Sequence, residues 1–278
     1  MKYFFLNSVA SVTFFSLIKF FLNLKVASLL LPSDYGIILI PLIIFSFLDL
    51  LLEGGFHAGI IKYNATKSDL TFILRKKLKL WLLFGPMIAC LLAVTNLYSD
   101  LEVPLFVVLS FMFLSLFRLT NYFSEAKLIA EGHYIQTEFL NFIVTVSLYS
   151  LFLFLIPKYE LAGYYYLSIL NLLLYGFYGA LLIYFSQKLP ELEANSSLPD
   201  LELFSKSVIQ SNFIFNIGGR IDEFVTALLF NPSFLGIYSK VKELGIMLGT
   251  FSSKIVSRPW YYIACNLEPR QVKKFHFL

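Results

Sequence analysis

Long apolar runs follow one another along this chain with only short breaks between them, and this pattern limits the fold more than any other feature. Runs long enough to be helices crossing a hydrocarbon layer lie at 3–31, 35–61, 78–98, 103–122, 135–157, 161–185, 204–230 and 234–256. A bilayer core about 30 Å thick needs about 20 apolar helical residues, and inside it every backbone polar group must be paired within the chain. The breaks carry residues that end or turn helices: Pro32-Ser33-Asp34, Ser99-Asp100, Pro157-Lys158, Asn231-Pro232 and the polar stretch from Gln187 to Leu203. The expected fold class is therefore an all-α polytopic membrane protein of about eight transmembrane helices.

Composition agrees. The chain is 58% hydrophobic and 14% charged, with a mean hydropathy of +0.74, far from the quarter or so of charged residues in soluble domains. Its net charge of +4 does not point to nucleic acid, because the cations sort to one side of the alternating spans. With Met1 on the cytoplasmic side, that side holds Lys2, Lys62, Lys67, Arg75, Lys76, Lys77, Lys127, Lys188, Arg258, Arg270, Lys273 and Lys274, and the opposite loops hold Lys158. Such a bias orients the chain with both termini cytoplasmic. The outer loops are a few residues long, which leaves no room for an external catalytic domain. Asn64-Ala65-Thr66 matches a glycosylation acceptor but falls on the cytoplasmic side. Cys90 and Cys265 lack metal or redox spacing, the three histidines are scattered, and no phosphate-binding loop or nucleophile elbow occurs. No cofactor and no metal site is expected.

Two breaks share a motif. Pro32-Ser33-Asp34-Tyr35-Gly36-Ile37 and Pro232-Ser233-Phe234-Leu235-Gly236-Ile237 both read Pro-Ser-x-x-Gly-Ile, 200 residues apart. Proline, serine and glycine are common in turns, so the match has a local explanation. It also has a topological one. Six spans separate the copies, an even number, so both face the same side and describe a parallel repeat about an axis along the membrane normal. The implied organisation is a six-helix N-terminal lobe at 1–190, a cytoplasmic linker at 191–203, and the first two helices and tail of a second lobe at 204–278.

Candidate functional residues are the charges inside the spans, which are costly there and so face a cavity or a partner. Lys19 and Lys25 lie on the first span, and Asp49 and Glu53, spaced i,i+4 on the second, are expected to pair with them. Arg118 lies within the fourth span, where a guanidinium either holds a phosphate or snorkels to the headgroups. Arg220, Asp222 and Glu223 form the densest cluster, just after Gly218-Gly219. The structural alternative for that cluster is a salt-bridge network. Lys240 and Lys242, on the next span, read as an interface cluster. Tyr164-Tyr165-Tyr166 and Trp260-Tyr261-Tyr262 read as interfacial aromatic belts, with sugar stacking the other option.

Four stretches carry a family resemblance: Leu29 to Lys62, "EAKLIAEGHY" from Glu125, "NIGGRIDEFVTALLFNPSFLGIYSKVKEL" from Asn216, and "SRPWYYIACNLEPRQVKKF" from Ser257. In order and spacing they resemble the polysaccharide exporters, or Wzx-type lipid-linked oligosaccharide flippases, of the multidrug/oligosaccharidyl-lipid/polysaccharide superfamily. Members of that family have a complete second lobe, so by comparison this chain reads as truncated. The resemblance implies a non-enzymatic transporter in the bacterial cytoplasmic (inner) membrane. It would move an undecaprenyl-diphosphate-linked oligosaccharide, an O-antigen or capsule repeat unit, by alternating access. Arg118, Arg220 and Lys19 would bind the substrate, and Asp49, Asp222, Glu223 and Glu53 would serve as ion-coupling or ion-pair residues. Expected partners are the lipid-linked oligosaccharide, membrane lipids, a polysaccharide polymerase and chain-length regulator proteins. The alternatives are a non-catalytic scaffold for polysaccharide assembly and a drug/cation antiporter of the same superfamily.

Overall fold

A computed structural model describes residues 2–63, 65–98, 103–155, 163–188, 198–242 and 245. Eight helices occupy most of it: α1 (Lys2–Leu29), α2 (Pro32–Glu53), α3 (Phe56–Tyr63), α4 (Lys67–Tyr98), α5 (Leu105–Ala130), α6 (Tyr134–Leu155), α7 (Gly163–Gln187) and α8 (Leu198–Leu229). A further helical stretch covers 232–242. Among the described residues, five stretches are long and apolar enough to cross a membrane: Pro32–Tyr63, Ser68–Val94, Leu105–Ala130, Tyr134–Phe154 and Gly163–Gln187. The chain is an all-α polytopic membrane protein. α8, expected as a span, carries Arg220, Asp222 and Glu223 together and is not among the five. The greater part of the expected span at 234–256, the Trp260 aromatic cluster and the stretch from Ser257 to Phe275 lie outside the described residues.

Helix ends follow local chemistry. Pro32 opens α2 from an extended Leu31, a position where the missing N–H costs nothing. The expected second span is broken in two at Gly54 and Gly55, with φ of 56° and 70°, values glycine adopts without strain. Three other boundaries differ from expectation. α4 begins at Lys67, well before the expected 78, because Thr66 and Asp69 cap it reciprocally: Asp69 N–H donates to Thr66 Oγ1 at 3.2 Å and Thr66 N–H to Asp69 Oδ2 at 3.3 Å. Arg75, Lys76 and Lys77, expected in a loop, are thus helical. α5 continues past 122 to Ala130, carrying Lys127 into a buried position before the turn at Gly132. α8 takes in Leu198 to Leu203, which the sequence assigned to a linker.

α5 lies at the centre of the bundle and packs against α2, α3, α4, α6 and α7, while α1 packs on α6 and α8 on α2 and α3. Ile43, Phe45, Leu52, Ile60, Ile73, Phe111, Leu114 and Leu119 are buried in the interior. In lipid the apolar exterior supplies little drive for association, so close packing and interhelical polar contacts hold such helices together. Trp81 Nε1 donates to Ser115 Oγ at 2.8 Å between α4 and α5, and Asn121 Nδ2 to the Tyr175 carbonyl at 3.0 Å between α5 and α7.

The two Pro-Ser-x-x-Gly turns meet each other. A Cβ added to Gly36 would collide with the Pro232 carbonyl, and one added to Gly236 would collide with the Pro32 carbonyl. Each glycine thus touches the first residue of the other motif. Lys240 secures the junction, donating to the Leu30 carbonyl at 2.9 Å and lying 5.4 Å from the centroid of the Tyr35 ring.

Candidate functional site

α2 runs from the Pro-Ser turn toward the end of the bundle that carries the basic start of α4. At about 1.5 Å per residue, Asp49 lies about 25 Å along it from Pro32, and Arg118 lies about 20 Å along α5 from Leu105. The fold gives each charge the other. Arg118 Nη1 donates to Asp49 Oδ2 at 2.7 Å, with side-chain exposures of 17% and 7%. The guanidinium lies 4.8 Å from the centroid of the Tyr175 ring on α7, and Tyr122 is in electrostatic contact with the pair. Asp49 Oδ1 and Arg118 Nε are buried and have no hydrogen-bond partner.

Arg220 lies on α8. It pairs with Glu223 at 3.6 Å, one edge of a second network. Lys242 Nζ lies 2.6 Å from Asp222 Oδ1 and 3.3 Å from Glu223 Oε1, and the Tyr238 hydroxyl donates to Asp222 Oδ2. The turn at Asn231-Pro232 folds 232–242 back along α8. Residues 222 and 242, both ten positions from Pro232, meet as a result. The site thus has two groups of charges: Arg118–Asp49 on α5 and α2, and Arg220–Glu223–Lys242–Asp222 on α8 and its hairpin partner.

Three expectations are corrected. Asp49 pairs with Arg118, not with Lys19 or Lys25. Lys19 instead bonds Asn141 Oδ1 at 3.2 Å and pairs with Glu138 at 3.7 Å, because α1 packs on α6. Glu53 likewise has its opposing charge in Lys77 of α4. Lys77 is buried and donates to the Leu51 carbonyl at 2.8 Å beside the Gly54 break. Lys242, read from the sequence as an interface residue, belongs to the Asp222 network. Tyr175, Tyr122 and Tyr238 were not singled out from the sequence. Tyr122 follows Arg118 by four residues, which places both on one helix face, so that signal was available.

This arrangement can hold an anion. Arginine presents a planar fork of donors that matches phosphate, and Arg118 here holds one buried carboxylate through a single hydrogen bond. Paired charges enclosed by apolar helices belong to an all-α polytopic membrane protein. A family model described as "Polysaccharide biosynthesis protein" matches residues 26–267, and the chain belongs to that family. No curated protein and no solved structure matches it.

Proposed function

We propose that this chain translocates a polyprenyl-diphosphate-linked oligosaccharide across the bacterial cytoplasmic membrane, with both termini cytoplasmic and without catalysing a covalent reaction. The observation that carries the reading is the buried Arg118–Asp49 pair between α5 and α2. A diphosphate and its sugars cross hydrocarbon only in a polar, enclosed path while the lipid tail stays in the bilayer. Arg118 and Arg220 bind the diphosphate, and Asp49, Asp222 and Glu223 hold the cations in place between substrates. Rocking of one repeat against the other supplies alternating access. Membership of a polysaccharide biosynthesis family agrees with a substrate of this class. Lys19, engaged with Glu138 and Asn141, is assigned to packing of α1. A polymerase and a chain-length regulator would receive the translocated unit.

The test is export of lipid-linked glycan in cells that lack their own translocator and carry this gene. Loss of export on Arg118→Ala, with the protein still present in the membrane at normal amount, supports the proposal. No export by the wild-type chain in these cells, which have no other translocator, would instead identify a scaffold, and undiminished export by Arg118→Ala and Arg220→Ala would show that these arginines do not bind the diphosphate. Transport of organic cations without glycan export would identify an antiporter.

A further inference from the structure

α4 contains the least enclosed of the five apolar stretches, and it has two distinct faces. Ile73, Lys77, Trp81, Gly85 and Ala89 recur every four residues and are buried, where α4 packs on α5 and α2. Arg75, Lys79, Leu82, Leu83 and Pro86 are exposed, and the helical period places them on the opposite face. The apolar run of this helix begins at 78, so Arg75 and Lys79 straddle the edge of the hydrocarbon and the two leucines lie inside it. Four cations occur between 75 and 79, and the protein engages two of them. Lys77 donates to the Leu51 carbonyl at 2.8 Å, and Lys76 pairs with Glu202 at 3.1 Å. Arg75 and Lys79 have no hydrogen bond or ion pair among the described residues. No acidic residue stands three or four positions from either, so nothing on α4 offsets the repulsion between like charges spaced i,i+4.

We propose that Arg75 and Lys79 form a site for the headgroup of an anionic phospholipid on the lipid-facing surface of α4, with the acyl chains lying along Leu82, Leu83 and Pro86. The two cations start about 6 Å apart along the helix, a separation that one phosphate-bearing headgroup spans. Arg75 offers the phosphate its planar fork, and Lys79 adds a second positive charge. A zwitterionic headgroup carries its own ammonium beside the phosphate and gains less from the pair, so the site selects lipids of net negative charge. The occupant is a lipid and not a soluble anion, because the same face continues into the hydrocarbon as exposed leucines. A headgroup held there fixes the height of α4 in the bilayer. It thereby fixes Lys77 beside the Gly54 break and Lys76 against α8. The inference rests on α4 crossing the bilayer and is independent of the substrate translocated.

The experiment is native mass spectrometry of the purified full chain in detergent, titrated with phosphatidylglycerol or with phosphatidylcholine of the same acyl chains. The wild type is expected to retain phosphatidylglycerol in preference to phosphatidylcholine. Arg75→Gln should weaken phosphatidylglycerol binding about fivefold, and adding Lys79→Gln should weaken it about fivefold again, with phosphatidylcholine binding unchanged. Lys188→Gln removes one exposed charge from the end of α7 and should leave binding as in the wild type. Equal weakening by Lys188→Gln and Arg75→Gln would show a response to net charge alone and overturn the site. Unchanged phosphatidylglycerol binding by the double variant would overturn it too. Inorganic phosphate at constant ionic strength should leave the lipid bound, and displacement by it would identify a site for a soluble anion instead. The wild type decides the matter even if a variant fails to fold, because equal retention of the two lipids by the unaltered chain is incompatible with the proposal.

Discussion

Gly36 and Gly236 occupy equivalent positions in two copies of one turn, and each lies against the carbonyl of the proline that opens the other copy. A side chain at either position would meet backbone, which cannot rotate away. The motif repeated in the sequence is therefore a surface of contact between its own copies.

Replacing Gly236 or Gly36 with valine should destabilise the chain at least as much as ordinary overpacking, about 1–3 kcal/mol, because the obstructing atoms belong to the main chain. Ser233, exposed in the same turn, should tolerate alanine within about 0.5 kcal/mol. Thermal unfolding in detergent, followed by size-exclusion chromatography, compares the three. Equal behaviour of Gly236→Val and Ser233→Ala would show that the turns do not touch.

Removing one member of the Arg118–Asp49 pair leaves a buried charge unmatched, with an expected loss of about 3–5 kcal/mol for either Arg118→Met or Asp49→Leu. The double replacement should cost much less than the sum, since it removes both charges. A double-mutant cycle on unfolding free energy measures the coupling. Additive losses would mean that the two side chains do not pair.

Lys19 should behave as a residue of the α1–α6 seam. Lys19→Met should lower the unfolding temperature, with polyprenyl diphosphate affinity in the folded fraction within about twofold of wild type, a difference of about 0.4 kcal/mol. Arg118→Lys should show the reverse, weaker binding at near-normal stability, because an ammonium keeps the charge and loses the fork. Binding titration and thermal unfolding on the same samples separate the two roles.

Lys242 neutralises both Asp222 and Glu223. Its replacement by methionine should destabilise the α8 hairpin more than Tyr238→Phe, which removes one hydrogen bond and should cost about 0.5–1.5 kcal/mol. Hydrogen exchange over 222–242 would register the difference as faster opening in Lys242→Met.

Much of the fold could be read without coordinates. The apolar runs that begin at 35, 103, 135 and 161 gave helices, the first divided at Gly54-Gly55 and the second extended to Ala130, since in hydrocarbon no other backbone conformation pairs its own polar groups. The Gly54-Gly55 interruption also lay open to inspection. Helix ends outside the apolar layer did not. The basic start of α4 is as helical as its apolar half, because Thr66 and Asp69 cap it and nothing between Ser68 and Leu80 breaks it. Hydrophobicity reports where a helix leaves the membrane, and the helix itself continues until its hydrogen bonds are capped.

The candidate site divides along the same line. The sequence alone marked two side chains that must find partners, because Arg118 and Asp49 lie within apolar spans where a lone charge is costly. It also determined that the two Pro-Ser-x-x-Gly turns face one side. Only the tertiary structure decided that Asp49 meets Arg118 rather than Lys19, that Lys242 closes the Asp222 network, and that Gly36 meets Gly236. Those choices depend on which helices pack together, α2 on α5 and α1 on α6. That packing depends on the fit of many side chains at once, whereas the cost of burying a charge depends on one residue and its depth.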